Sequence, residues 1–310
     1  MAFGDNFGCL DSGSYHPFVD SIRAVSKELT FAQMLRYYGI LKLQQYFIPK
    51  DAAGSRAKNM RMVVETVKRR VQKDTDRKDF LYYILAANAE KAMSPAEINV
   101  NAFSISIAGS ESTATALTGA TYQILKRKDV YQKLVHEIRS AFKSEEEITL
   151  ASTNALEYLE CVLTETLRIY PPVAITLPRV VPVGGETIDG VYVPAGVTVG
   201  INHYSCYRDP QNFHRPNEFL PERWLKSEHG NSQQFANDNQ TCFQPFSFGP
   251  RNCLGKNLAR AEMRLVLARL LWRFDLELIS DEKGWVEQQK IFGFWVKAPL
   301  MCRLTPVQRE

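Results

Sequence analysis

The chain is poor in cysteine and lacks the paired spacings of metal-binding modules. Its six cysteines, at positions 9, 161, 206, 242, 253 and 302 of 310 residues, are too few and too scattered for a disulfide framework. No CxxC pair and no HxxxH pair occurs, which disfavours a structural zinc site. A reducing compartment is therefore the default expectation.

Long hydrophobic runs and a strong excess of one charge are also missing. No uninterrupted apolar run approaches the length that spans a bilayer, so we expect the chain as given to be soluble or peripherally attached. The 38 Lys and Arg residues nearly balance the 34 Asp and Glu residues, and the densest basic stretch, 68–78, is interleaved with Asp74 and Asp76. A solvated helix end explains that stretch better than a nucleic-acid surface, so nucleic acid is not an expected partner.

Hydrophobic periodicity predicts a mainly α-helical fold. The first 93 residues are predicted to form helices broken at Pro17, Gly39, Pro49 and Gly54. The segment 94–97 (Ser-Pro-Ala-Glu) is typical of a capping box, which predicts that a helix starts there and continues to about Lys128. Because much of this helix surface is apolar or small, we expect a buried central helix.

The rest of the chain combines helices with a small β region in its C-terminal half. Period-3.6 and period-2 patterns predict helices at 130–141, 156–167 and 256–272, and strands at 180–183, 191–193, 197–199, 274–279 and 294–304. The second of these helices must stop at Pro171 and Pro172. The stretch between Tyr207 and Pro250 is expected to be irregular.

The most informative segment, which we name the cysteine loop, is 246–255 (FSFGPRNCLG). Two glycines bracket Cys253 just before a predicted helix, whose free N–H groups and positive pole favour a thiolate over a thiol. A buried, inert cysteine is the alternative for such a residue taken alone. A cysteine-nucleophile hydrolase ranks last, because no histidine lies in a recognisable general-base motif.

The pattern FxxGxRxCxG, filled by Phe246, Gly249, Arg251, Cys253 and Gly255, resembles the haem-binding loop of the cytochrome P-450 family. The resemblance implies that Cys253 is the proximal thiolate ligand of haem iron and that Arg251 contacts a haem propionate. It also implies that Phe246 packs beside the proximal face and that the amides of Leu254 and Gly255 hydrogen-bond the sulfur. A thiolate ligand is typical of oxygenases rather than oxygen carriers.

Two arginines and one glutamate match a structural network of the same family. Glu165 and Arg168 lie three residues apart and therefore on one helix face, a pattern that is weak when taken alone. Downstream, the segment 221–224 (Pro-Glu-Arg-Trp) supplies Arg223, the second arginine of the network. The resemblance implies a buried carboxylate between two guanidinium groups, with no part in the chemistry.

The central helix contains the segment 108–113 (Ala-Gly-Ser-Glu-Ser-Thr), which is similar to the oxygen-activation motif of the family. A small-residue helix interface with a buried polar group is the plain alternative. The resemblance implies that Glu111 is the acid of a proton relay. At the next position, where the family usually has threonine, this chain has Ser112, followed by Thr113.

Other segments have a less specific likeness. Arg179 matches an arginine that reaches a haem propionate, although an exposed arginine before a strand is nearly as good an explanation. For His203, packing or a place near a propionate is favoured over catalysis. The substrate would face residues 102–109, 173–177 and 292–294, which are largely apolar or small, and this implies a lipophilic substrate.

The resemblance covers essentially the whole chain and implies a single partial cytochrome P-450 domain over residues 1–310, with the central helix at 94–128. The membrane anchor, the first sheet strands and the early helices of a complete member are expected to be missing, so that any membrane attachment is peripheral or through that missing part. The implied activity is a haem b monooxygenase of fungal secondary metabolism, at the cytosolic face of the endoplasmic reticulum. Electrons would come from an NADPH-dependent flavoprotein reductase, attracted by Arg251, Lys256 and Arg260. The alternative is a truncated, catalytically incompetent haem-binding fragment or interaction protein.

Overall fold

A computed structural model describes residues 8–14, 17–43, 46, 50–73, 77–91, 93–226, 232–279 and 284–309. The chain divides into two compact units. The first comprises 1–112 with 292–296, and the second comprises 113–291 with 297–310. The prediction of one domain over 1–310 stays a prediction.

The first unit is mainly helical. Its helices are α1 (Cys9–Ser12), α2 (Pro17–Tyr37), α3 (Lys50–Gln72), α4 (Phe80–Lys91) and the start of α5 (Pro95–Lys126). Helix α2 begins at Pro17 and Gly39 lies in the turn after it, as predicted, whereas Pro49 lies outside the described residues. The predicted break at Gly54 is wrong: helix α3 continues through this glycine, which costs a helix interior only about 1 kcal/mol relative to alanine.

A small apolar core holds this unit together. Val63 and Val67 of α3, Leu81 of α4, and Ile98 and Ala102 of α5 form one buried cluster. Full burial of a valine, leucine or isoleucine side chain contributes about 1.5–3 kcal/mol to the stability of the fold. The cluster therefore fixes the first turns of α5 against α3 and α4.

The capping box at the start of α5 is confirmed. The Ser94 hydroxyl accepts the amide N–H of Glu97 at 3.3 Å, and the Glu97 carboxylate accepts the amide of Ser94 at 2.7 Å. These bonds satisfy amides that the first helical turn leaves without helical partners.

Burial of α5 is only partly as predicted. Ala116, Ala120 and Ile124 are fully or almost fully buried, but residues 108–110 are exposed. The expectation of a helix buried along its whole length is thus wrong for this stretch. Small residues are found both in the interior and at the surface, so their presence does not show that another part of the chain packs over them. Within the described parts of the chain, no helix is both long enough and apolar enough to cross a membrane.

The second unit contains the rest of α5 together with α6 (Lys128–Ala141), α7 (Glu157–Ile169) and α9 (Lys256–Arg273), and the last three lie close to their predicted bounds. Helix α6 buries Val130, Leu134 and Ile138 on one face. Helix α7 is buried nearly throughout and ends two residues before the Pro171–Pro172 pair. A short helix, α8 (His203–Cys206), opens the irregular stretch, which contains single 3-10 turns.

Short antiparallel strand pairs complete the second unit. Strand β1 (Arg179–Val180) pairs with β4 (Thr198–Val199), and β2 (Glu186–Ile188) pairs with β3 (Val191–Val193) across a turn at Asp189 and Gly190. Both turn residues have positive φ, 50° and 76°, which is the conformation that Asp-Gly favours in tight hairpins.

The last predicted strand pair needs a correction. Strand β5 (Phe274–Leu278) is where it was expected, but its partner is β8 (Cys302–Pro306) rather than a strand over 294–304. That segment contains the separate strand β7 (Phe294–Val296), which follows β6 (Lys290–Phe292) after Gly293. Gly293 has φ 79°, and such a left-handed residue ends one strand before the next begins.

Candidate functional site

The cysteine loop folds back on itself before α9. The amide of Cys253 donates to the carbonyl oxygen of Phe246 at 2.8 Å, which closes the loop, and residues 249–251 form one 3-10 turn inside it. Gly249 has φ 79°, a conformation that side chains disfavour, so the turn requires a residue without a Cβ at this position. The result is a rigid support for the sulfur.

The loop presents its sulfur to the surface. Cys253 is exposed, and only two residues separate it from the start of α9, where the positive end of the helix dipole lies. Its apolar neighbours Phe248 and Leu254 are 79% and 94% exposed. A Cβ added to Gly255 would stand 3.9 Å from Sγ, so glycine leaves the space beside the sulfur open. The alternative of a buried, inert cysteine does not describe this geometry.

Two arginines flank this surface. Arg179, on β1, approaches the loop closely enough for its Nη2 to lie 3.4 Å from Ser247 Oγ, and Arg251 is exposed on the loop itself. The structure therefore brings Arg179 to the cysteine loop across nearly seventy positions of sequence. Both guanidinium groups can bind carboxylates at the edge of a ligand.

These residues fit haem. A thiol that can ionise supplies one axial ligand, the exposed Phe248 and Leu254 offer apolar contact to a flat ring, and the two arginines match its anionic carboxylates. Chemical type and exposure agree at each of these positions.

A cluster of three charged groups supports the loop from behind. Glu160 of α7 forms ion pairs with Arg260 and with Arg264 of α9, the latter at 3.0 Å. The Arg260 guanidinium carbon also lies 5.6 Å from the centre of the Phe246 ring. Arg260 is thus engaged inside the unit, which leaves Arg251 and Lys256 as the exposed cations of the expected basic surface. The sequence analysis did not identify Glu160, because nothing in the sequence around an acidic helix residue indicates which distant residue it will pair with.

The structure brings Glu165, Arg168 and Arg223 together. Glu165 and Arg168 are completely buried and form a bidentate pair, with N–O distances of 2.7 and 2.8 Å. The remaining capacity of the carboxylate is taken by the amide of Leu220 and the indole N–H of Trp224, each at 2.9 Å. The bonds from Leu220 and Trp224 join α7 to the segment 220–224, so the cluster holds that segment against the helix.

Arg223 differs in detail from the expected arrangement. Its Nε lies 3.5 Å from Glu165 Oε2, whereas its Nη1 pairs closely with the buried carboxylate of Asp238. The other oxygen of Asp238 accepts the amide of His214 at 2.7 Å, and Arg223 Nη2 donates to the carbonyl of His214 at 2.8 Å. The network therefore includes a second carboxylate, Asp238, which no spacing rule in the sequence indicated.

The residues of the expected proton relay lie in succession on α5. Glu111, Ser112 and Thr113 are half-buried, and Ser112 Oγ donates to the carbonyl oxygen of Ala108 at 2.5 Å. Glu111 and Ser112 belong to the first unit and Thr113 to the second. Back-bonding of this kind is common for serine inside a helix and occupies the hydroxyl hydrogen.

His203 packs as expected. Its ring is buried and stacks on Tyr207 with 5.3 Å between ring centres, and desolvation by burial lowers its pKa. A neutral, stacked imidazole suits packing rather than proton transfer.

Comparison with known proteins agrees with the geometry. A sequence model of the family described as Cytochrome P450 matches residues 1–301. The chain is 42% identical to cytochrome P450 monooxygenase aclL of Aspergillus oryzae over 99% of this chain and 62% of that protein. It is 40% identical to averantin hydroxylase of Dothistroma septosporum, over 99% of this chain and 58% of that protein, and 39% identical to versicolorin B desaturase of the same fungus, over 98% and 59%.

A mainly helical fold with an exposed thiol at a helix N-terminus agrees with the haem-thiolate class of proteins. The chain belongs to the cytochrome P450 family. Membership implies a haem cofactor, and it confirms the predicted fold class. The chain spans about three fifths of the length of the curated relatives that it matches.

Proposed function

We propose that the protein is a haem-thiolate monooxygenase, which inserts one oxygen atom from dioxygen into a lipophilic organic substrate in fungal secondary metabolism. The observation that carries the proposal is the exposed Cys253 thiol at the start of α9, in a loop with the family's residues. Relatives named as a hydroxylase and a desaturase support oxidative chemistry on an organic molecule.

The cysteine loop binds and orients the cofactor. Cys253 Sγ would be the ligand atom, and Arg179 and Arg251 would hold the propionates. Phe246 and Gly255 would lie beside the ring. When bound, haem supplies the redox chemistry that activates dioxygen with two electrons.

The segment Glu111–Ser112–Thr113 conducts protons. The Glu111 carboxylate passes a proton to Ser112 Oγ, which must first give up its bond to the carbonyl of Ala108. Serine lacks the methyl group that stiffens χ1 of threonine, so this rotation is easy, but the hydroxyl is also held less firmly in its working position. Thr113 provides the next hydroxyl along the helix.

Glu165, Arg168 and Arg223 have a structural part. Together with Asp238 they fix the segment 220–224 to α7, and α7 is in turn joined to α9 through Glu160. These contacts keep the start of α9, and hence Cys253, in one position relative to the rest of the second unit.

Electrons come from an NADPH-dependent flavoprotein reductase at the cytosolic face of the endoplasmic reticulum. The exposed Arg251 and Lys256 form a cationic surface near the sulfur, which suits an acidic partner. The rate of reduction by the purified reductase should therefore fall as salt is added. A rate that does not change between low and high salt contradicts this docking mode.

The central test is a carbon monoxide difference spectrum. We expect the chain, expressed with haem supplied and then reduced, to give a Soret band of the thiolate type, and the band to disappear in Cys253→Ser. Cys302→Ser, a change of a half-buried cysteine on β8, is the matched control and should keep the band.

The outcomes separate the two interpretations. Colourless protein, or pigment that Cys253→Ser leaves unchanged, refutes a haem-thiolate enzyme and favours a fragment without catalytic competence. A thiolate band that depends on Cys253 supports the proposal, and product formation with the reductase completes it.

A further inference from the structure

A lysine between β7 and β8 reaches the central helix at the point where that helix becomes buried. None of the described residues 103–114 of α5 is buried, whereas Thr115 is completely buried. The ammonium of Lys297 donates to Thr115 Oγ1 at 2.6 Å, across 182 positions of sequence. A lysine side chain has only donors, so the threonine oxygen is the acceptor of this bond. The contact therefore holds α5 by one atom at the start of its buried part.

Other hydroxyl groups of α5 form bonds within the helix. Ser112 Oγ and Thr118 Oγ1 donate to the carbonyl oxygen four residues earlier, at 2.5 and 2.7 Å, and Ser106 and Thr121 do the same. Bonds of this kind move with the helix, so they do not fix its rotation about its own axis. The bond from Lys297 comes from outside α5, and it does fix that rotation.

The backbone next to Lys297 is itself anchored to α5. The indole N–H of Trp285 donates to the carbonyl oxygen of Ala298 at 2.8 Å. The buried Trp285 ring lies 5.2 Å, between ring centres, from Tyr122 of α5 and 5.7 Å from Tyr170. Because aromatic rings at these separations attract each other, the backbone from which Lys297 extends is held against the helix that its ammonium binds.

Thr115 lies on the face of α5 that carries Glu111 and Ser112 of the proposed proton relay. A helix has 3.6 residues per turn, so position 115 is about one turn beyond these two residues and lies between them in rotation. Helix α5 is continuous from Pro95 to Lys126, so a rotation at position 115 also moves the relay. Apolar packing is non-directional and tolerates a small rotation, whereas a hydrogen bond depends on direction.

We propose that Lys297 is a positioning residue of the proton relay: its ammonium holds Thr115 and thereby sets the rotation of the turn of α5 that carries Ser112 and Thr113. The inference rests on the proposed function, because a relay requires its hydroxyl groups in place. A displacement of about 1 Å can cost on the order of 100-fold in rate. Loss of the Lys297 contact should therefore slow proton transfer more than any other step.

The first experiment tests the contact in the full chain without haem. Lys297→Met removes the ammonium, and Thr115→Val removes the acceptor while it keeps the shape of the side chain. In urea unfolding, we expect Lys297→Met to lower the folding equilibrium constant about tenfold more in the chain with Thr115 than in Thr115→Val. Additive effects of the two changes overturn the proposal.

The second experiment tests the positioning role by the solvent isotope effect. NADPH consumption by the haem-loaded chain with the reductase is measured in H2O and in D2O, with no organic substrate. We expect the ratio of the two rates to rise about twofold in Lys297→Met, because slower proton transfer then limits turnover. This ratio does not depend on the amount of folded protein, so a loss of stability alone leaves it unchanged.

Two variants serve as controls for the isotope effect. Lys297→Arg keeps a cationic donor and should restore the ratio of the unaltered chain. Lys133→Met removes an exposed lysine of α6 that pairs with Glu222 at 2.7 Å, and it should leave the ratio unchanged. Equal ratios in the unaltered chain and in Lys297→Met overturn the inference, as does a failure of Lys297→Arg to restore the ratio.

Failure of the inference and failure of the proposed function give different results. A chain without the Cys253-dependent carbon monoxide band contradicts the proposed function itself. A normal band together with an isotope effect that Lys297→Met does not change contradicts the positioning role alone.

Discussion

The buried pair Arg223–Asp238 offers a sharp test of the framework. Asp238→Asn keeps the shape of the side chain but replaces the oxygen that faces Arg223 with either a neutral acceptor or an N–H group that repels the guanidinium. Both side chains are at most 1% exposed, so water cannot take over the lost interaction. Removing one member of a buried ion pair costs about 3–5 kcal/mol.

The second carboxylate reduces that cost. Glu165 Oε2 remains 3.5 Å from Arg223 Nε, so the guanidinium keeps part of its compensation. We therefore expect a loss of about 3 kcal/mol in the free energy of unfolding, which is roughly a 100-fold change in the folding equilibrium. Urea unfolding followed by circular dichroism measures it, since the shift of the midpoint multiplied by the slope gives the difference.

An exposed pair supplies the control. Arg215 and Glu218 form an ion pair whose side chains are nearly half exposed, so Glu218→Gln should leave the urea midpoint almost unchanged. If Asp238→Asn and Glu218→Gln shift the midpoint equally little, the buried pair does not stabilise the unit in the way argued here.

Two further predictions concern single helices. Glu137 accepts two backbone amides in the first turn of α7, so Glu137→Gln should cost about 1 kcal/mol in urea unfolding. Desolvation raises the pKa of Glu137 above 4.5, so the stability that comes from this shift is complete below that pH and is lost as the pH rises through the folded-state pKa. Glu137→Gln should remove this decline from a stability–pH profile. An unchanged slope would argue against it. On α5, a Cβ at Gly119 would come 2.3 Å from the Tyr170 ring, whereas the described structure places nothing within 4 Å of one at Gly109. Thermal unfolding should therefore show Gly119→Ala destabilised by about 1–3 kcal/mol and Gly109→Ala stabilised by up to about 1 kcal/mol, and equal effects would contradict the close contact.

Much of the fold could be predicted from short-range patterns. The bounds of α6, α7 and α9 follow from apolar residues at helical spacing, and the start of α5 follows from the four residues of its capping box. The hairpin at Asp189 and Gly190 follows from the Asp-Gly dipeptide, which accepts two positive φ angles. The cysteine loop is equally local, because its five motif residues lie within ten positions. In each case the sequence pattern that predicts the element and the contacts that form it involve the same few neighbouring residues.

The sequence by itself determined the helices, the hairpin and the chemical type of the candidate site. Only the tertiary structure decided that Asp238 faces Arg223, that Glu160 pairs with two arginines of α9 and that β5 takes β8 as its partner. It also decided that part of α5 is exposed. These pairings join residues 15 to more than 100 positions apart, and they depend on the path of the chain between them. The neighbours of a residue in sequence do not determine that path. The chemical type of the site could therefore be predicted from the residues, whereas the partners of those residues could not.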